Sequence, residues 1–397
     1  MDKHPIYLDY ASTTPLDPRV REVMLAHLGH HGGFANPSAT THAPGRHAAS
    51  VIETAREHLA ALIAADPREL TWTSGATEAI NMAVAGAARF YADTGRHIVT
   101  TTQEHTATLD VCRALEREGF RVTRVAPDAA GHIQPQDIAA AVADDTVLVS
   151  VLHVNNETGV IQDIAGIGAV CREAGVRLHV DAAQSLGKLP LDTGALPVDY
   201  VSFSAHKLCG PKGVGALYVR REPRARIRPL MHGGGHERGL RPGTLATHQI
   251  AGMGEACRIA AQERDTEQAR IAALRDRLWE GLRSCGGVQL NGDTPQRVAG
   301  ILNVAIDGIA VEALVAGTPE LAFSLGSACT SATSEPSHVL RTMGLDDARV
   351  RASIRLSPGR FTSEADIEQA VACLRSEIRR LREISPLWPP AGQGDAA

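Results

Sequence analysis

Between about residues 50 and 220, helical stretches alternate with short runs rich in Val, Ile and Leu. This alternation restricts the possible fold more than any other feature of the chain. Runs that are apolar along their length, not only at every second position, read as strands buried on both faces, which are found in parallel sheets covered by helices. The runs are Leu70–Thr73, His97–Thr100, Val122–Val125, Thr146–Ser150, Arg177–Val180 and Tyr200–Phe203, with helices expected over Ala48–Ala64 and Gly166–Ala174. The pattern predicts an α/β fold with a mostly parallel sheet. A polar helical stretch from Ala260 to Leu282, with Leu274, Leu278 and Leu282 four apart, would carry the chain into a smaller second region. That region holds the strand candidates Ile301–Ile306 and Ser353–Leu356 and a closing helix over Ser363–Leu381, and the Pro/Gly-rich tail after Trp388 is expected to be unstructured.

At 397 residues the chain is long enough for two domains. A net charge of −5 gives no general electrostatic reason to bind nucleic acid or a membrane surface. Met1–Pro5 lacks the layout of a signal peptide, and no apolar run approaches the ~20 residues of a membrane span, so a cytoplasmic location is expected. The seven cysteines are scattered and never form a C-x-x-C pair, which indicates neither a disulfide framework nor a zinc site. Most are expected to be buried or inert.

Four stretches carry chemistry by residue type and position. Lys207 follows the run Tyr200–Phe203 and precedes the glycine-rich Gly210–Gly215. A lysine at a strand end, partly desolvated, has a lowered pKa and can form a Schiff base with an aldehyde; taken alone, a solvated surface lysine is the commoner reading. Asp181 ends the strand Arg177–Asp181, where a buried carboxylate needs a cationic partner such as a protonated pyridine nitrogen; a helix N-cap is its other reading. Ser74–Glu78 lies between a strand and the helical run Ala79–Ala88 and suits a phosphate at a helix N-terminus, or is simply a capping box. His105, again just past a strand, is placed to stack on an aromatic ring or shuttle protons, unless it is an ordinary core or surface histidine.

Together with Tyr7–Pro15, Thr73–Glu78, His153–Gly159, Ser204–Lys207, His232–Gly239 and Gly326–Ser331, these residues identify a resemblance that runs from Ile6 to Trp388. The chain resembles the cysteine desulfurases of the class V, fold-type I pyridoxal-phosphate family, nearest the iron–sulfur-cluster-assembly branch. The resemblance implies the fold-type I transferase architecture: a large pyridoxal-phosphate-binding domain over residues 16–260, a smaller α+β domain from 1–15 and 261–388, and a disordered tail at 389–397. It implies Lys207 as the Schiff-base lysine, Asp181 as partner of the pyridine nitrogen, Gln184 at the ring hydroxyl and His105 as the stacking acid/base. Gly75, Ala76 or Thr77, with Ser204 and His206, match the phosphate positions. Thr244 matches a phosphate contact from the second subunit of a homodimer. Asn156 and Arg355 match the groups that hold the carboxylate of L-cysteine, a role suited to the guanidinium fork.

The resemblance further implies that Cys329, in the small-residue run Ser324–Ser334, is the nucleophile. A free thiol of pKa about 8.5 is only a few per cent ionised at pH 7, so His105 or the amine of the substrate would have to assist it. Lys207 removes the α-proton, Cys329 attacks the substrate sulfur and becomes a persulfide, and alanine leaves. The sulfur would then pass to an acceptor protein, for iron–sulfur cluster assembly or for thiolation of other biomolecules. No intrinsic metal site is expected, although Cys329 could transiently ligate a cluster held with a partner. Rival readings are transamination or selenocysteine cleavage on the same fold, and a catalytically silent docking subunit. His232–Gly235 has no G-x-S-x-G companion, which excludes an esterase, and Gly210–Gly213 does not satisfy the phosphate-loop pattern.

Overall fold

A computed structural model describes residues 5–30, 32–292, 295–325, 336–386 and 388. Cys329 and the tail 389–397 lie outside the described residues. The elements in chain order begin with β1 (Ile6–Tyr7), α1 (Pro18–Ala26), α2 (Ala43–Leu62), β2 (Leu70–Thr73), α3 (Ala76–Phe90), β3 (His97–Thr101), α4 (Thr106–Arg117) and β4 (Arg121–Val125). Next come α5 (Pro135–Ala141), β5 (Thr146–Leu152), α6 (Ile164–Glu173), β6 (Arg177–Asp181), β7 (Tyr200–Ser204), β8 (Gly215–Val219) and α7 (Thr247–Arg283). The remainder is β9 (Val288–Leu290), β10 (Leu302–Ile306), α8 (Val311–Gly317), β11 (Leu321–Ala322), β12 (Ser324–Leu325), α9 (His338–Thr342), α10 (Asp347–Arg351), β13 (Ser353–Leu356) and α11 (Glu364–Ile384).

Among the described residues, seven strands form one sheet in the order β2-β8-β7-β6-β5-β3-β4. Neighbouring pairs from β7 through β4 are parallel, while β8 runs antiparallel to both β7 and β2. All seven residues of β5 are buried, as its continuous apolar pattern requires for a strand covered on both faces. Because β2, β3, β5, β6 and β7 point the same way, their C-terminal ends gather along one edge, where ligands bind in open α/β sheets.

A second, antiparallel sheet has the order β12-β13-β10-β9 and places Arg355 opposite both Asn303 and Ser324. The N-terminal segment joins this region by pairing β1 with β11 and Asp9 with Ser357. Helix α7 serves both cores: Ile250, Met253, Ala256 and Cys257 pack in the core of the large sheet, and Leu274, Leu278 and Leu282 in that of the small one. Each such leucine contributes roughly 1.5–3 kcal/mol of burial.

The six strands expected between residues 50 and 220 are present with ends shifted by at most two residues. Two helices start five or more residues earlier than their sequence pattern suggested. α2 starts at Ala43, because the ring of His42 accepts the Gly45 N–H at 3.1 Å and Pro44 sits in the first turn. α7 starts at Thr247, thirteen residues before Ala260, because Ile250, Ala251, Met253 and Ala256 in its first turns are buried where the helix packs on α2 and α1. No helix among the described residues is long and apolar enough to cross a membrane.

Candidate active site

The strand ends converge on a cavity of about 570 Å3. It is lined by Gly75, Ala76 and Thr77 after β2, His105 after β3, Asn156 after β5, Asp181 and Gln184 at and after β6, Ser204, His206 and Lys207 at and after β7, and Arg355 from the small sheet. The structure thus brings together every sequence-derived candidate among the described residues except Thr244. That residue is exposed and lies outside the lining, three residues beyond Arg241, whose guanidinium bonds Glu78 in the cavity wall at 3.0 Å.

The β2–α3 turn is built differently from a capping box. Gly75 is the N-cap of α3 with φ 155°, ψ −179°, and no side chain caps the helix; Glu78 instead accepts the Ser74 N–H at 2.5 Å. That backbone conformation is essentially a glycine one. The first-turn N–H groups, which a helix cannot satisfy internally, are left for an anion.

Asp181 is buried, accepts the Ala183 N–H at 2.9 Å, and has its pKa raised by burial, with Lys207 and His105 acting against the rise. Lys207 Nζ donates to the carbonyls of Ala11 and Ser12, each at 2.6 Å. His105 caps α4 by accepting the Ala107 N–H on Nδ1 at 3.1 Å, so the proton of its neutral ring is on Nε2. His206 contacts the Thr13 hydroxyl at 3.1 Å, and burial followed by the charge of Lys207 pulls its pKa down to about 4.

Arg355 is 1% exposed. It donates to Asp9 Oδ1 at 2.8 Å, to Ser12 Oγ at 2.6 Å, and to the Asn156 carbonyl at 2.8 Å, while its buried Nε has no partner among the described residues. Ser324 Oγ donates to the same Asp9 Oδ1 at 2.8 Å.

Sequence reasoning missed several groups at this site. Asp9 and Glu157 lie inside motifs that were singled out, but nothing local marks them as neighbours of Arg355 and His105. Glu157 is held by Ser337 Oγ at 2.5 Å, and burial raises its pKa to about 7. Glu104, next to His105, accepts from Thr101 Oγ1 and the Leu152 N–H at 2.7 and 2.9 Å; burial raises its pKa to about 8, and Oε2 has no partner among the described residues. Of the described cysteines, Cys112, Cys171, Cys209 and Cys257 are buried; burial raises all four thiols, those of Cys112, Cys171 and Cys257 to about 12, as expected of inert core residues.

A buried acid, a lysine and an uncapped helix N-terminus around one cavity fit a planar, phosphate-bearing cofactor with a basic ring nitrogen. The chain belongs to the aminotransferase class-V family, whose model matches residues 6–370; its enzymes use pyridoxal 5′-phosphate. A cysteine desulfurase IscS of Enterobacter sp. (strain 638) is 55% identical over 392 residues, covering 99% of this chain and 97% of that one. Among solved structures, a NifS-like protein superposes with TM-score 0.87 at 33% identity, over 95% of this chain and 100% of the other. SspA in complex with cysteine superposes with TM-score 0.80 at 36% identity, over 90% of this chain and 99% of the other.

Proposed function

We propose that the chain is a pyridoxal-phosphate-dependent cysteine desulfurase, which converts L-cysteine and the Cys329 thiol into L-alanine and a Cys329 persulfide. The observation that carries this reading is the buried Arg355, fixed by Asp9 and Ser12 with Nε left over, in the same cavity as Lys207, Asp181 and His105. A site of this kind accepts an amino acid by its carboxylate next to a lysine. The names of the relatives supply the amino acid.

Asp181 would hold the ring nitrogen, Gln184 the ring oxygen, and Gly75, Ala76 or Thr77 with Ser204 and His206 the phosphate, joined by Thr244 from the partner subunit of a homodimer. Bound pyridoxal phosphate supplies an electron sink beside the α-carbon of the substrate, which lets the α-proton leave and weakens the carbon–sulfur bond. Lys207 would anchor the cofactor covalently and take the α-proton of the substrate. Arg355 and Asn156 hold the carboxylate. His105 would stack on the cofactor and exchange protons with the substrate sulfur through its acid/base ring. The Cys329 thiolate attacks that sulfur: an S–S bond forms, the carbon–sulfur bond breaks, and the carbon is protonated to alanine.

The persulfide then serves an acceptor protein, either an iron–sulfur scaffold or a carrier for thiolation, in the cytoplasm. The division into a large unit over 16–260 and a small unit from 1–15 and 261–388 belongs to the same reading.

The test incubates the full chain, loaded with pyridoxal phosphate, with L-cysteine and a thiol reductant. Equal yields of alanine and sulfide, abolished in Cys329→Ala while the cofactor stays bound, are expected. Products unaffected by the substitution would remove Cys329 from its role, and no products from the intact chain would overturn the substrate.

A further inference from the structure

Lys188 is a lysine that the reaction above does not use. It does not line the main cavity but a smaller one of about 50 Å3, which shares Ala11 and Lys207 with it. Gly187, at φ 68°, turns the chain just before it, so that its side chain runs back along the turn that carries Gln184. Lys188 Nζ donates to Gln184 Oε1 at 2.9 Å. Gln184 Nε2 in turn donates to the Ala11 carbonyl at 2.8 Å. That carbonyl also accepts from Lys207 Nζ at 2.6 Å.

An ammonium only donates and a carbonyl only accepts. Both ends of the Gln184 amide are therefore assigned by their neighbours: the oxygen faces Lys188, and the nitrogen faces Ala11. An amide between two groups that could each donate or accept has no such preference and turns over easily. Burial first, then the charge of Lys207, pulls the Lys188 pKa down to about 7; Arg355 adds to this, while Cys209 and Glu267 oppose it. Its hydrogen bond goes to a neutral amide, not to a carboxylate. For stability alone, an apolar side chain would serve better at such a position. The orientation of the amide is what the lysine adds.

We propose that Lys188 is a positioning residue of the cofactor site: by holding the Gln184 oxygen, it fixes the amide nitrogen as the group presented beside Lys207. The inference rests on the pyridoxal-phosphate reading of the cavity and names a residue that acts on the site through Gln184. An amide N–H directed into the site, with positive charge behind it, stabilises a ring oxyanion and favours loss of the proton from the Lys207 nitrogen. Both effects lower the pH at which the loaded site titrates.

The experiment follows the visible absorbance of the bound cofactor against pH, in the full chain without substrate. The midpoint is expected to rise by roughly 0.5–1 unit in Lys188→Met, the equivalent of about one net hydrogen bond, and to stay near wild type in Lys188→Arg, which keeps donors and charge. In a Gln184→Ala background, the Lys188→Met shift is expected to fall by more than half. An unchanged midpoint in Lys188→Met overturns the proposal; so does a full shift in the Gln184→Ala background, which would mean that the charge acts directly. Lys188→Gln, which keeps length but no longer dictates the orientation, replaces the Met variant if that one does not fold. A wild-type chain that takes up no pyridoxal phosphate would instead overturn the cofactor reading, and this one with it.

Discussion

On the large-sheet side, Asp181 in the cavity lining and Glu104 outside it are buried with no cation in ion-pair contact among the described residues, and burial raises both pKa values. On the small-sheet side, Arg355 is equally buried but carries its countercharge, Asp9, at 2.8 Å. The first arrangement is incomplete without a ligand: a carboxyl at a strand end, bonded to backbone N–H, gains its partner only when a cation or a protonated ring arrives. The second already has its countercharge in the free protein, with Nε alone unpartnered among the described residues, so a substrate carboxylate has to share a guanidinium already held. One side is poised for a resident cofactor, the other for a ligand that comes and goes.

The largest effect that would break this contrast is expected at Asp181. Asp181→Asn keeps the shape but removes the charge that a protonated ring nitrogen would meet, and kcat for alanine formation is expected to fall at least ~100-fold, the scale of a broken buried ion pair. A fall of only a few-fold would mean that the acid is structural.

Glu104 is the next test, on stability. A carboxyl whose folded pKa is near 8 and whose ordinary value is 4.5 stays protonated in the fold while the unfolded chain ionises. Its contribution is therefore intact below pH 4.5 and lost as pH rises towards 8. Glu104→Gln removes the liability, so the stability of the cofactor-free chain in urea, relative to wild type, should improve between pH 5 and 8 by on the order of 3 kcal/mol. A parallel pH dependence in the two proteins would show that Glu104 is not protonated.

On the other side, Arg355→Ala is expected to lower kcat/KM for L-cysteine by roughly 50-fold, mostly through KM, as befits a charged hydrogen bond to a carboxylate. The smallest effect is expected from Asp9→Asn, which keeps a hydrogen bond to Arg355 but withdraws the competing charge: KM should fall by about 2–5-fold, within the range of a partly exposed ion pair. A rise in KM would mean that Asp9 aims the guanidinium more than it competes for it.

Much of the site was legible because its parts sit at strand ends. Strand ends follow from local pattern: the runs ending at Thr73, Asp181 and Phe203 are rich in apolar and β-branched residues, and the residues after them are small or polar. Glu157 lay within a quoted motif and Glu104 adjoins His105, yet neither was recognised, since a carboxylate shows its burial only when other elements close over it. Lys188 carried no signal beyond its spacing of four from Gln184.

By itself, the sequence determined the α/β alternation, the large sheet's parallel strands and the residues that line its edge, because each depends on side-chain periodicity over a few neighbours. Only the tertiary structure decided that β8 enters antiparallel between β2 and β7, that one helix serves both cores, and that Arg355 meets Asp9 across 346 residues of chain. Those outcomes rest on which surfaces bury against which. Such pairings are set by the packing of the whole chain and leave no periodic trace in any one segment.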